Sequence, residues 1–239
     1  MTGPVGPDRE AAAVADRYAR RAADVPADRY SLLRPDVWQT VQDRQRALLR
    51  LFAQIGVQDL AAWHMTEVGC GSGGNLLELL RLGAAPERLT GIELLPERHV
   101  QARLALPAAT AVLLGDARHA AIAAGSQDVV LQSTVFSSLL DDMAQQELAA
   151  AMWRWLAPGG AVLWYDFAID NPLNRDVRGV PMARVRTLFP AASRLLWRRL
   201  TLAPPLARAL CRLHPSLYGV ATAVPWLRTH RLAWIEKPR

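Results

Sequence analysis

The sequence predicts an α/β domain built on a doubly wound, mostly parallel sheet. Strand and helix signals alternate from about residue 64 to residue 166, and that rhythm gives parallel strands with helices on both faces. A glycine-rich turn, Gly69-Cys70-Gly71-Ser72-Gly73-Gly74, stands where the first strand hands over to a helix. The chain has 239 residues, 51% of them hydrophobic, enough to bury a large core in one domain without a staple.

Each element has its own signal. Residues 8 to 24 read as a polar, alanine-rich helix. Residues 36 to 55 read as a second, with Asp36 as its N-cap, Gly56 as its stop, and Val37, Val41, Leu48, Leu51, Phe52 and Ile55 at roughly helical spacing. Residues 1–62 are expected to form an N-terminal helical lid and residues 63–239 the sheet domain. The strands are His64 to Val68, Leu89 to Glu93, Ala111 to Leu114, Asp128 to Gln132 and Ala161 to Asp166. The helices between them are Asn75 to Leu82, Pro96 to Leu104 and Asp142 to Leu156, and Pro158-Gly159-Gly160 turns the chain into the fifth strand. After Asp166 the rhythm breaks. A polar loop (Asn171 to Arg178), a short helix (Arg184 to Leu188), a strand (Leu195 to Leu202) and a proline-interrupted helical stretch (Pro204 to Leu227) follow. Arg231 to Glu236 alternates as an edge strand would. Residues 167–230 are expected to carry a substrate-side loop and a helical insertion. Right-handed crossovers put the C-terminal ends of the parallel strands on one edge, and ligands bind there, where strand order reverses.

Charge narrows the partners. Of the 28 basic residues only Lys237 is a lysine. From Asn171 onward 13 basic residues face 2 acidic ones, a balance of +11 on a body that carries −5. Such a third suits an anionic substrate, a phospholipid surface or a nucleic acid. Two cysteines, Cys70 and Cys211, exclude a disulfide framework and fit a reducing cytoplasm. No uncharged apolar run reaches ~18 residues, and Met1 to Glu10 reads as no signal peptide. A cytoplasmic protein is expected, with peripheral contact at the inner membrane face as a use for residues 193–227. There Arg194, Arg198, Arg199, Arg208 and Arg212 interleave with leucines and Trp197.

The glycine turn carries the chemistry. Glycines at a strand-to-helix turn let backbone approach a ligand. Gly69, Gly71 and Gly74 also satisfy the dinucleotide spacing, so a nicotinamide-dependent dehydrogenase stays open on the loop alone. Glu67, two residues before the first glycine, faces a pyrophosphate badly and suits a ligand bearing an ammonium and a sulfonium. Glu93 ends the second strand, where a carboxylate accepts both ribose hydroxyls. Asp116, after the third strand, can accept from an adenine amino group.

These stretches resemble the class I S-adenosylmethionine-dependent methyltransferases. The match covers Glu67-Val68-Gly69-Cys70-Gly71-Ser72-Gly73, Gly91-Ile92-Glu93, Gly115-Asp116-Ala117, Asp128-Val129-Val130-Leu131-Gln132 and Leu156-Ala157-Pro158-Gly159-Gly160, in the family's order and spacing. Within that family the chain looks like a bacterial branch acting on small molecules or glycans. The resemblance implies a seven-stranded sheet with an antiparallel last strand, and S-adenosyl-L-methionine as cofactor. It also implies that Gly69, Gly71, Glu67 and Gln132 hold the methionine part, Glu93 the ribose, and Asp116 with Ala117 the adenine. No metal ligands are expected.

The acceptor is a small molecule or glycan, anionic if the basic third serves it, and O-methylation is the expected reaction. A hydroxyl acceptor needs a general base, whereas a carboxylate acceptor needs none. Asp166, at the end of the fifth strand, is the first candidate, with Tyr165 beside it; capping or pairing with an arginine is the alternative reading of Asp166. Asn171, Asn174 and Arg178 are candidates for a substrate clamp. Nucleic-acid methylation is disfavoured, because Gln132-Ser133-Thr134-Val135 stands where an Asn-Pro-Pro-Tyr type motif belongs. A methyltransferase-like binding protein that has lost its chemistry is the reading from another class.

Overall fold

The computed structural model describes residues 8–24, 26, 28–170 and 174–239. The elements run α1 (Asp8–Asp24), α2 (Pro35–Ile55), β1 (Met65–Val68), α3 (Gly74–Arg81), β2 (Leu89–Glu93), α4 (Pro96–Ala105), β3 (Ala111–Leu114), β4 (Gln127–Ser133), α5 (Asp142–Trp155) and β5 (Leu156–Phe167). Then follow α6 (Met182–Leu188), β6 (Arg194–Leu202), α7 (Pro204–Leu213), α8 (Ser216–Thr222) and β7 (Arg228–Glu236). The seven strands form one sheet in the order β3-β2-β1-β4-β5-β7-β6. β7 runs antiparallel to both its neighbours, and the pairs from β3 across to β5 are parallel. Strand order reverses between β1 and β4, which sets the ligand edge.

The sheet is covered on both faces, which is why β1 and much of β4 and β5 are continuously buried. Leu51 and Phe52 of α2 with Leu76 and Leu79 of α3 cover one face. Leu148, Met152 and Trp155 of α5 with Val185 and Leu188 of α6 cover the other. The strand period of two then divides β5. Leu163 and Tyr165 belong to the α2 face, whereas Val162 and Trp164 belong to the α5 face.

Four sequence expectations change. Asp36 is not the N-cap of α2: Arg34 holds that place without a side-chain bond, because Pro35 starts the helix with its fixed φ. Asp36 instead lies in the first turn, 3.4 Å from Arg34. Pro158-Gly159-Gly160 lies within β5, which pairs Leu156 with Gln127 and Ala161 with Val129 across a bulge. Gly159 takes φ 79° there. Arg231 to Glu236 belongs to an interior strand, and β6 is the edge. The alternation misleads because Arg231 is itself buried, stacked over Trp197 at 5.4 Å. Finally, the two N-terminal helices part ways. α2 packs Ala47, Leu51 and Phe52 into the core, whereas α1 lies against the 138–140 segment.

Candidate active site

The loop after β1 bends through left-handed φ at Gly69 (63°), Gly71 (58°) and Gly73 (88°), where a side chain is strained. A Cβ on Gly69 would also meet Val135 Cγ2 at 2.6 Å. Glu93 ties this loop to the end of β2. Its Oε2 accepts the Gly71 amide at 2.8 Å and its Oε1 accepts the Leu95 amide at 2.9 Å. Beside it opens a cavity of about 140 Å³ lined by Gly69, Glu93, Asp116 and Ala117, with Ala11, Val14 and Tyr18 of α1 on its other side. Asp116 binds Arg118 through its backbone amide (2.9 Å) and its guanidinium (2.5 Å), and Arg118 continues to Glu147 at 3.0 Å. Burial pushes the Asp116 carboxyl up, but Arg118 outweighs it and leaves the group below its ordinary value.

Two buried polar atoms beside the loop lack partners. Glu67 is fully buried; Oε1 accepts Asn75 Nδ2 at 2.5 Å, while Oε2 has no hydrogen-bond partner. Burial pushes its carboxyl up to about 7, against the pull of Asn75 and Arg44. Gln132 uses Oε1 to accept the Val135 amide at 3.1 Å and leaves Nε2 unpaired. Unpaired buried groups are costly, so their presence marks a ligand or strain. The register pairs Glu67 with Leu131 and Gln132 with Val68, so the two side chains leave opposite faces of the sheet at the ends of adjacent strands.

A larger cavity of about 790 Å³ adjoins the first. Tyr18, Arg98, Ser133, Thr134 and Ser138 line both. Arg21, Arg29, Arg44, Arg98 and Arg208 lie on its wall against two carboxylates, Asp36 and Glu97. Two of its threonines hold left-handed backbone, Thr134 (φ 59°) and Thr201 (φ 61°), a conformation that costs a β-branched residue on the order of 1–3 kcal/mol. Thr201 is pinned by its amide to Asp43 at 2.9 Å and by its hydroxyl to Tyr165 at 2.8 Å. His230 also lines this cavity, stacked on Tyr165 at 5.0 Å with its Nδ1 near Thr229 Oγ1 at 3.0 Å. Burial, then Arg44 and Arg231, push His230 down to about 3, so it is neutral.

The structure therefore gathers Gly69, Glu93, Asp116 and Ala117 around one cavity, and places Tyr165 on the wall of the next. It does not bring Asp166 to either. Asp166 is fully buried on the opposite face from Tyr165. Its carboxylate accepts the amides of Ser137 (3.1 Å) and Phe167 (2.8 Å) and thereby holds the Phe136–Ser138 turn. Arg178 is also elsewhere, paired with Asp142 at the surface, and Asn174 accepts the Asp176 amide in its own turn. Asn171 lies outside the described residues. Sequence reasoning missed Arg29, Arg44 and Ser138 as wall residues; it weighs His230, with His119 and His214, as a base behind Asp166, because a lone histidine is more often structural. Arg208 and the Gln132–Val135 stretch were noted there, but for other reasons.

A family model described as a methyltransferase domain matches residues 66–164. No curated protein matches the chain by sequence. Among solved structures, a possible histamine N-methyltransferase from Thermotoga maritima is similar over 94% of this chain and 98% of its own, with TM-score 0.60 and 14% identity. Phosphoethanolamine N-methyltransferase 2 from Haemonchus contortus, in complex with phosphomonomethylethanolamine and S-adenosylhomocysteine, is similar over 82% of this chain and 52% of its own (TM-score 0.60, 15% identity). A cyclase, SpnF, shares the fold at TM-score 0.53 and 18% identity over 81% of each chain. Domain match and fold agree: residues 66–164 match a methyltransferase domain, and the sheet around them has the fold of these solved structures.

Proposed function

We propose that the chain moves a methyl group from S-adenosylmethionine to an oxygen of an anionic small molecule or glycan-type acceptor in the larger cavity. The wall that the two cavities share carries this reading, because a methyl donor and an acceptor must meet in line across such a boundary. Glu67, Gly69, Gly71 and Gln132 would hold the methionine part, Glu93 the ribose, and Asp116 with Ala117 the adenine. α1 would close over them as a lid. The bound cofactor supplies a methyl group already activated on a sulfonium. The protein's task is then to position the acceptor and take its proton.

The arginine-rich wall disfavours an ammonium acceptor and so favours oxygen over nitrogen. The neutral imidazole of His230 on that wall would orient an acceptor hydroxyl by a hydrogen bond; burial, then Arg44 and Arg231, hold it down at about 3 and disfavour its taking the proton outright. Asp166 is better read as the anchor of the Phe136–Ser138 turn than as the base. Calorimetry tests the cofactor half: S-adenosylhomocysteine should bind at micromolar levels and NAD should not. NAD binding alone would overturn the reading.

No helix among the described residues is long and apolar enough to cross a membrane. A second reading adds peripheral docking on anionic lipid. It is favoured by Leu213, Val220 and Trp226, which are 78%, 70% and 77% exposed beside the arginines of the basic third.

A further inference from the structure

We infer that Arg29 and Arg208 form a two-guanidinium clamp for a carboxylate or phosphate on the acceptor, and that this anion is a handle rather than the methylated atom. The inference rests on the acceptor reading above and names the chemistry its cavity selects.

The argument starts from which cavity arginines are engaged. Arg21 donates to the Tyr30 hydroxyl. Arg44 reaches Glu78 at 3.6 Å and lies over the Tyr165 ring. Arg98 lies over the Tyr18 ring at 4.5 Å. The guanidinium groups of Arg29 and Arg208 make no hydrogen bond or ion pair among the described residues, yet both residues line the cavity. Both border the same cavity, and after burial the charge of Arg29 is the largest influence lowering Arg208 from its ordinary value. The carboxylates nearby are shared with another cation, since Arg34 takes Asp28 at 3.1 Å and Asp36 at 3.4 Å.

Like charges left facing each other repel, so something else must hold them there. Arg208 is carried by α7, whose Ala207 and Cys211 are buried against Leu202 and Tyr218. Arg29 sits in a turn closed by its amide on the Pro26 carbonyl at 2.9 Å. The fold thus presents two half-buried guanidinium groups to one space, the arrangement that binds carboxylate or phosphate oxygens through paired, charge-assisted hydrogen bonds.

Placement separates recognition from reaction. The methyl group must cross the shared wall of Tyr18, Arg98, Ser133, Thr134 and Ser138. Arg29 and Arg208 border the larger cavity and not the cofactor cavity. An anion gripped by them leaves another part of the acceptor, resting on Tyr165 and His230, to meet the methyl.

The test titrates benzoate and inorganic phosphate into the wild type, Arg29→Gln, Arg208→Gln and the double variant, with benzamide as the neutral control. Each titration is run with and without S-adenosylhomocysteine. At least one anion should bind the wild type and benzamide should not. Each single variant should weaken the anion about tenfold, the double variant should abolish binding, and S-adenosylhomocysteine affinity should hold within about twofold. The stronger anion identifies carboxylate or phosphate. Equal affinity in the double variant, or no anion binding by the wild type, would overturn the clamp. Failure of S-adenosylhomocysteine to bind would instead overturn the cofactor reading, since the titrations without it judge the clamp independently. Methyl benzoate formed from benzoate and S-adenosylmethionine would overturn the handle.

Discussion

Glu93 offers the sharpest test of the cofactor site. It is 4% exposed, and each of its oxygens already accepts a backbone amide: Gly71 in the glycine loop and Leu95 at the start of α4. A ribose would take the remaining lone pairs. Glu93→Ala removes the loop's anchor and the ribose acceptor together. A hydrogen bond to a charged group is worth about 1.5–3 kcal/mol, so S-adenosylhomocysteine should bind roughly 10- to 150-fold more weakly. Glu93→Gln is the more incisive variant. Its amide oxygen can keep one backbone N–H, but its NH₂ then faces the other as donor against donor. About a tenfold loss is expected, despite the near-identical shape. Calorimetry with S-adenosylhomocysteine measures the whole effect, and methylthioadenosine, which lacks the amino-acid end, isolates the ribose share. Melting temperature should fall by about 2–4 °C for each kcal/mol lost from the anchors. Affinity within twofold of wild type in Glu93→Ala would refute the reasoning, whatever the melting curve shows.

Gly69→Ala places a Cβ 2.6 Å from Val135 Cγ2 on left-handed backbone, so S-adenosylhomocysteine affinity should drop at least about tenfold. Adding Val135→Ala should recover part of it, by relieving the overlap and not the strain; no recovery would count against the contact. Asp166 and Glu67 are both raised to about 7 by burial, so the folded state prefers their protonated forms. The stability they contribute is full below their unfolded values near 4 and is lost as pH rises through about 7. Melting temperature should therefore fall from pH 5 to pH 8, and Asp166→Asn should flatten the fall; a pH-independent wild type would contradict it. Liposome sedimentation should recover the protein with anionic vesicles at low salt and release it at about 1 M salt, where the Debye length is roughly 3 Å. Equal recovery in the supernatant throughout would end the membrane reading.

Local signals read well from sequence. The glycine loop, Glu93 and Asp116 each sit at a strand end whose apolar run and following turn are contiguous in the chain, so their place at the ligand edge is legible there. Asp166 shows where this stops. Val162 to Tyr165 is apolar at every position because both faces of β5 are covered, so the run does not say which parity faces the ligand edge. The structure gives that side to Tyr165, and Asp166 turns toward α5 and α6. The larger cavity was illegible for a different reason. Arg29 and Arg208, far apart in the chain, come to one cavity wall through packing of α7, and His230 enters from a strand that sequence placed at the edge. No short-range pattern announces such meetings. The exchange of edge and interior between β6 and β7 has the same origin, a buried Arg231 that reads as a surface charge.

The contacts of α1 set a pace as well as a shape. Glu10 accepts the Leu140 amide at 2.8 Å, Arg17 spans Glu10 and the Ser138 carbonyl, and Tyr18 meets Ser138 Oγ at 3.3 Å while Arg98 stacks on its ring. If S-adenosylmethionine occupies the space walled by Ala11, Val14 and Tyr18, as proposed, loosening of these contacts would widen the exit for the spent thioether. Under that proposal each catalytic cycle would contain an undocking step, and product release would govern turnover once the chemistry is fast. Tyr18 and Arg98 border the larger cavity as well, so movement of this helix would open both spaces together. A helix that takes no part in bond making would then be the clock of the reaction.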